Sequence, residues 1–152
     1  MRLLPVVILA SLAMSPSAVA ATGNGQIAAN TIVTRNGYQV GCTSALLIPR
    51  SPIADRNVKL VFGRLDGGTA KPADFAGADL KARLPGTRAN ECTNYRRRGG
   101  SLFSDVPAGE YYVVLRLLRE ENTSSKPMTA FEELVMRRVA VAPGDIARLR
   151  FH

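Results

Sequence analysis

The sequence predicts an all-β protein, a Greek-key sandwich of about seven short strands within a single domain. Short runs rich in β-branched and aromatic residues recur along the chain, and clusters of Gly, Pro, Asn and Asp separate them. No long segment repeats its apolar residues with the period of an amphipathic helix. The predicted domain, residues 30–152, is long enough to bury a substantial hydrophobic core.

The first 20 residues are predicted to be a secretory signal peptide. Arg2 precedes an apolar stretch over residues 3–14, and small residues follow at 15–20, as they do before a cleavage site. The apolar stretch is shorter than the roughly 20 residues that a membrane-spanning helix needs, and no longer stretch follows it. We therefore expect cleavage after Ala20 or Ala21, a periplasmic or secreted location, and no transmembrane segment after cleavage.

The start of the mature chain is predicted to contain a flexible terminus and a hairpin. Residues 21–29 are small and polar, which is typical of a flexible N-terminus. Residues 31–34 and 38–48 favour strands, and Asn36-Gly37 between them is the strongest signal for a two-residue hairpin. Gly41 is a candidate β-bulge.

The middle of the chain gives weaker signals. Residues 50–57 contain Pro52 and are predicted to be a loop. Apolar residues then alternate with other residues over 58–65, which predicts a half-buried strand. Prolines and glycines interrupt residues 69–98, where a single helical turn or a short strand both fit. This segment is longer than ordinary connections, and long ordered loops are often functional.

The last third of the chain has the clearest strand signals. Residues 101–103 favour a short strand, and residues 111–118 are almost wholly apolar, as in a central strand buried on both faces. Residues 131–141 favour a strand, although residues 131–138 also fit a helix. Residues 146–151 alternate cleanly, which predicts a final strand.

The two cysteines, Cys42 and Cys92, are predicted to form a structural disulfide. The chain has no third cysteine, and two distant cysteines usually pair in the oxidising compartment that export implies. A redox or nucleophilic thiol would need a Cys-x-x-Cys pair or a nearby base, and the sequence shows neither.

The chain is strongly basic, with 20 Lys and Arg residues, 12 Asp and Glu residues and a formal net charge of +8. Most of the basic residues are arginine, whose guanidinium binds carboxylates and phosphates through paired hydrogen bonds. Arg96, Arg97 and Arg98 directly follow Tyr95, and Arg88 precedes them. This arginine cluster is a candidate site for an anionic ligand. The alternative is a solvated loop without a binding role.

Enzymatic chemistry is not predicted. The only histidine, His152, is the last residue, which is a poor position for a preorganised base. The acidic pairs Glu120-Glu121 and Glu132-Glu133 do not form dyads within a strand, because neighbouring residues point to opposite faces. The sequence also has too few histidines and cysteines to form a histidine or thiolate metal site, and it lacks the glycine-rich loop of a phosphate site. We therefore expect no metal and no cofactor.

A turn motif in the C-terminal half carries a family resemblance. Residues 99–114 combine a glycine and a short strand with the turn Val106-Pro107-Ala108-Gly109-Glu110-Tyr111 and a strong strand, and residues 139–145 form a closing hairpin motif. These features resemble the carboxypeptidase-regulatory-like, or transthyretin-like, domains. The resemblance implies an immunoglobulin-like sandwich that is usually a non-catalytic accessory or binding module, and it transfers no active-site residues.

Together these observations predict an exported, non-catalytic module of the bacterial cell envelope that binds an anionic component through the arginine cluster. The alternative is a secreted protein–protein module, an inhibitor or accessory subunit, that contacts another exported protein through residues 69–98. An enzyme with carboxylate chemistry is the least favoured hypothesis. Nucleic acid is not expected as a partner, because exported domains rarely meet it and no recognition helix is evident.

Overall fold

The protein is described here from a computed structural model. It covers residues 23–31, 34–35, 38–74, 84–93, 99–121 and 130–151. The predicted signal peptide and His152 lie outside these residues, so both stay sequence-based predictions.

The described chain forms two sheets and one helix. In chain order the elements are β1 (Gly25–Thr31), β2 (Thr34–Arg35), β3 (Tyr38–Pro49), α1 (Pro52–Phe62), β4 (Gly67–Ala70), β5 (Arg88–Glu91), β6 (Gly100–Val106), β7 (Gly109–Glu121), β8 (Ala130–Val141) and β9 (Ile146–Phe151). A small sheet has the order β6-β1-β9, and a larger sheet has the order β2-β3-β7-β8-β4 with β5 also paired to β3. The predicted all-β sandwich is confirmed, with nine strands in the described part of the chain.

Strand β7 is the centre of the larger sheet, between β3 and β8. Its residues Val113 and Leu115 belong to the apolar cluster shared with the small sheet. Its residues Tyr112 and Val114 belong to a second cluster, on the opposite face, that includes α1. The larger sheet therefore separates two apolar layers, and the prediction of a strand buried on both faces is confirmed.

Strand β1 is the centre of the small sheet, antiparallel to β6 and parallel to β9. The prediction of a flexible segment over residues 21–29 is wrong from Gly25 onward. Ile27 and Ala29 are completely buried, and a Cβ atom at Gly25 would lie 2.5 Å from a side-chain carbon of Val141. The small residues that suggested flexibility instead allow β1 to pack closely against the rest of the sandwich.

Helix α1 replaces the loop and half-buried strand predicted over residues 50–65, so that prediction is wrong. The Ser51 hydroxyl accepts a hydrogen bond from the Ala54 amide at 3.1 Å and thereby caps the helix. Pro52 occupies the first turn, where no intrahelical N–H bond is required. Gly63 ends the helix in the left-handed conformation, with φ 74°.

The buried face of α1 explains why the alternation of apolar residues predicts a strand here. Val58 and Phe62 are buried together with Ala54, four residues apart each time. Leu60, which alternation placed on the same face, is instead 78% exposed. Val58 and Phe62 fit both the period of a helix and the period of a strand. The capping residues Ser51 and Gly63 are the features that distinguish the helix from a strand. No helix in the described part of the chain is long and apolar enough to cross a membrane.

Four further predicted strands agree with the structure, whereas the strand predicted over 31–34 is not a single element, because β1 ends at Thr31 and β2 begins at Thr34. Residues 38–48, 101–103, 131–138 and 146–151 lie in β3, β6, β8 and β9, which excludes the helical alternative for residues 131–138. Arg35 pairs with Tyr38, as the predicted hairpin requires, while Asn36-Gly37 lies outside the described residues. The register of β3 shifts between Cys42 and Ser44 rather than at Gly41.

Residues 69–98 are not one continuous loop. They contain the end of β4, a short helical turn at residues 72–74, and all of β5. Residues 75–83 and 94–98 lie outside the described residues. The alternative hypothesis, a protein–protein module that contacts a partner through residues 69–98, stays a prediction.

Candidate functional site

A disulfide bond joins Cys42 of β3 to Cys92, which directly follows β5. Their Cα atoms are 5.6 Å apart, and Cys42 is completely buried. The predicted disulfide is confirmed. The bond holds β5 against the edge of β3, where the four residues of β5 pair with residues 44–47.

Arg88, a predicted ligand-binding residue, contacts main-chain atoms of the neighbouring strand β6. Its Nη2 donates to the carbonyl of Ser104 at 2.9 Å, and its Nη1 donates to the carbonyl of Asp105 at 3.4 Å. Two positions further along β5, the Nδ2 of Asn90 donates to the carbonyl of Leu102 at 3.0 Å. Side chains of β5 thus satisfy carbonyls on the edge of β6, which links the two sheets.

The other members of the predicted arginine cluster are Tyr95, Arg96, Arg97 and Arg98, which lie outside the described residues. Their role in ligand binding therefore stays a prediction. The segment that contains them is bracketed by Thr93 and Gly100, which pair with each other.

The outer face of the small sheet combines polar and apolar side chains and faces solvent. On β9, Ile146, Arg148 and Arg150 point outward, while the residues between them turn toward the core. On β1, Gln26, Ala28 and Asn30 pair in register with those three residues. On β6, Leu102 pairs with Ala28 and is 57% exposed. We call this surface the outer β face: Gln26, Ala28, Asn30, Leu102, Ile146, Arg148 and Arg150.

Arg148 and Arg150 are the charged residues of the outer β face. Their Cα atoms are about 7 Å apart, because they lie two positions apart on one strand. The ion pairs found among the described residues use other arginines: Arg50, Arg64, Arg116 and Arg138. The guanidinium donors of Arg148 and Arg150 can therefore bind an external anion, and the amides of Gln26 and Asn30 beside them can bind hydroxyl groups.

A second polar cluster joins the start of α1 to the larger sheet. Arg50 donates from Nε to both carboxylate oxygens of Asp55, at 3.1 and 3.2 Å, and from Nη1 to Glu110. Arg138 donates to the other oxygen of Glu110. Tyr112 donates its hydroxyl to Asp55 at 2.5 Å. A depression of about 360 Å³ lies beside Arg50, Asp55 and Glu110.

The ion pairs of this cluster keep both carboxylates charged. Burial raises the pKa of Asp55, but hydrogen bonds from Tyr112 and Arg50 outweigh it and leave that pKa below its ordinary value. Hydrogen bonds from Arg138 and Arg50 lower the pKa of Glu110. Neither carboxyl group is thus suited to donate or accept a proton near neutral pH. The cluster attaches α1 to the sheet.

The acidic pair Glu132-Glu133 lies in β8, where neighbouring side chains point to opposite faces, so it forms no dyad. Glu132 pairs with Arg116 of β7. A cleft of about 620 Å³ adjoins both glutamates, Lys71 and Asp74. Within the described ranges, no group of three or more His, Cys, Asp and Glu side chains could hold a metal ion.

Comparison with known proteins reveals a likeness of fold. No protein-family model matches the chain, and no curated protein matches it. A crystal structure from Pseudomonas aeruginosa, of a proposed carbohydrate-binding protein, is similar over 88% of this chain and 92% of that chain. The identity is 17% and the TM-score is 0.49. At these values the likeness supports no inference about the ligand.

Arg148 and Arg150 are not among the predicted binding residues, although the sequence contains a pattern that could identify them. They alternate with apolar residues in the predicted last strand, so both guanidiniums belong on the same face. Local charge density instead favours the three consecutive arginines, Arg96 to Arg98. Consecutive residues of an extended chain point in alternate directions, whereas residues two apart can contact one ligand together.

Proposed function

We propose that the chain is an exported, non-catalytic module of the bacterial cell envelope that binds an anionic glycan polymer on its outer β face. The disulfide between Cys42 and Cys92 supports export, because such bonds persist mainly in oxidising compartments. The predicted signal peptide supports the same location. A catalytic role receives no support from Asp55, Glu110 or Glu132, since arginines hold these carboxylates.

The observation that carries the proposal is the pair Arg148 and Arg150 on an exposed sheet face. A guanidinium binds a carboxylate or phosphate through two parallel hydrogen bonds. Gln26 and Asn30 add donors and acceptors that match sugar hydroxyls. Because the chain rises about 3.3 Å per residue, the outer β face is long enough to contact successive units of a polymer.

The apolar members of the outer β face suit the same ligand. Leu102 is 57% exposed and Ile146 is 45% exposed. They flank the polar residues and can cover the C–H face of a sugar ring, which removes apolar surface from water. A small inorganic anion would use only the arginines, whereas a glycan polymer would use the whole surface.

The members of the predicted arginine cluster other than Arg88, which are Tyr95 and Arg96 to Arg98, are proposed to extend this site. Gly100, where the segment with Tyr95 and Arg96 to Arg98 returns to the sheet, pairs with Asn30, and Asn30 pairs with Arg150. The ends of the segment therefore adjoin the Arg150 end of the outer β face. Additional cations at this end would strengthen binding to an anionic polymer and increase its dependence on salt.

The test is co-sedimentation of the exported, oxidised protein with purified peptidoglycan, whose peptide stems carry carboxylates. The double variant Arg148→Gln/Arg150→Gln should lose most of the binding, and high salt should release the wild type. The matched control Arg56→Gln/Lys59→Gln removes two exposed cations from α1 and should bind like the wild type. Equal retention of all three proteins would overturn the proposal.

We further propose a distant relationship to the carboxypeptidase-regulatory-like domains. The turn that carries the resemblance is closed by a hydrogen bond from the Tyr111 hydroxyl to the Pro107 carbonyl at 2.7 Å. This contact gives a physical reason for the Pro-x-Gly-x-Tyr spacing, because the ring returns to the core while its hydroxyl fixes the turn. The two-sheet sandwich supports the relationship at the level of fold.

A further inference from the structure

The outer side of helix α1 exposes two large apolar side chains. Ile53 is 58% exposed and Leu60 is 78% exposed. They are seven residues apart, which places them on one stripe of the helix, about 10 Å apart. Their exposure is not needed for folding, because the opposite side of α1 packs on the larger sheet through other residues.

The same side of α1 is cationic. Arg56 and Lys59 lie between Ile53 and Leu60 in the sequence and are exposed. Neither is part of an ion pair among the described residues. The one acidic residue of α1, Asp55, is held by Arg50 and Tyr112 at the junction with the sheet. The exposed side of α1 therefore combines two cations with two apolar residues and no acid.

We infer that this side of α1 docks onto the surface of an anionic phospholipid bilayer. Interfacial helices place cations at the level of the lipid headgroups and insert apolar side chains beside them. Leu60 and Ile53 project from a convex helix rather than lining a groove. The cores of protein interfaces are enriched in aromatic residues, and the exposed side of α1 has no aromatic residue.

The position of α1 gives this inference a geometric consequence. The small sheet packs on one face of the larger sheet, and α1 packs on the other. The outer β face and the exposed side of α1 therefore point in opposite directions. A protein with both surfaces could hold a glycan polymer against a membrane, although membrane docking does not depend on glycan binding.

The test is co-sedimentation of the exported, oxidised chain with two kinds of vesicle. One kind contains phosphatidylcholine alone, and the other contains equal parts of phosphatidylcholine and phosphatidylglycerol. The wild type should bind the anionic vesicles and not the neutral ones. Arg56→Gln/Lys59→Gln should weaken binding about thirtyfold at low salt, and Ile53→Ser/Leu60→Ser should weaken it at least about tenfold.

Matched controls separate this surface from the outer β face. Arg148→Gln/Arg150→Gln and Leu102→Ser change exposed residues elsewhere and should bind the anionic vesicles like the wild type. All of these changes are at exposed positions, and unchanged urea unfolding midpoints would show that the variants are folded.

Three results would overturn the inference. The first is that the wild type does not bind the anionic vesicles. The second is that the α1 variants bind them as strongly as the wild type does. The third is binding to a protein of an envelope extract, lost in the α1 variants, without any vesicle binding, which would identify a protein partner instead. The glycan-binding test uses peptidoglycan and the variants of the outer β face, whereas this test uses vesicles and the α1 variants. A negative result in one test therefore does not contradict the other proposal.

Discussion

The Tyr112 hydroxyl on β7 donates a hydrogen bond to Asp55 of α1 at 2.5 Å, across the boundary between the larger sheet and the helix. Tyr112 is completely buried, and Arg50 binds the same carboxylate. The bond places a charged acceptor at the rim of an apolar layer. It therefore helps to fix the position of α1 on the sheet.

Tyr112→Phe should destabilise the fold by about 2 kcal/mol, because it removes a buried hydrogen bond to a charged group. Urea unfolding followed by circular dichroism measures the change. The matched control is Tyr111→Phe, which removes a bond to the neutral carbonyl of Pro107 and should cost about 1 kcal/mol. A Tyr112→Phe variant as stable as the wild type would show that the bond contributes nothing.

The titration of Tyr112 should make the fold sensitive to alkali. Burial, and then the hydrogen bond to Asp55, raise its pKa from 10.0 to about 12. The folded state therefore favours the neutral phenol. The resulting stability is fully present below pH 10 and is lost as the pH rises through about 12.

Unfolding free energies measured across this pH range test the alkaline prediction. The wild type should lose more stability than Tyr112→Phe, which cannot ionise at this position. Parallel losses in the two proteins would assign the alkaline transition to other groups.

The disulfide should contribute about 4 kcal/mol to stability, because it closes a loop with a sequence separation of 50 residues. Cys42→Ser/Cys92→Ser should therefore unfold at a lower urea concentration than the oxidised wild type. The reduced wild type should behave like the double variant. If reduction leaves the unfolding midpoint unchanged, then β5 is held on β3 without help from the bond.

Arg88→Ala should affect stability and leave glycan binding unchanged. The change removes two hydrogen bonds to β6 carbonyls and the contact of the guanidinium with Phe103, at 5.9 Å. We expect a loss of about 1–2 kcal/mol. Arg64→Ala, which removes an exposed pair with Asp66, should cost less stability, because exposed ion pairs are screened by solvent. A folded Arg88→Ala protein that no longer binds peptidoglycan would instead make Arg88 a ligand-binding residue.

Much of the fold could be predicted because strand signals are local. The apolar run in β7 and the alternation in β9 each follow directly from the side on which residues must be buried. Helix α1 was missed because Val58 and Phe62 fit two periods at once. Its N-cap Ser51 and its C-terminal Gly63 were the signals that could have separated them.

The candidate site was less predictable because it depends on pairing between strands distant in sequence. Arg148 and Arg150 become part of one surface with Gln26 and Asn30 only when β9 pairs with β1. Likewise, the sequence alone does not show that the Arg88 guanidinium donates to carbonyls of β6. The net charge and composition indicate that the protein favours an anionic ligand, but the strand topology determines which arginines can bind it.

The most direct test of glycan binding is a nuclear magnetic resonance titration of the oxidised protein with an oligogalacturonate, compared with a neutral malto-oligosaccharide. Amide shift changes should be concentrated in β1 and β9, around Asn30, Arg148 and Arg150, and should occur with the acidic sugar only. Changes confined to α1 or to the Arg50–Glu110 cluster, or equal changes with both sugars, would contradict glycan binding on the outer β face.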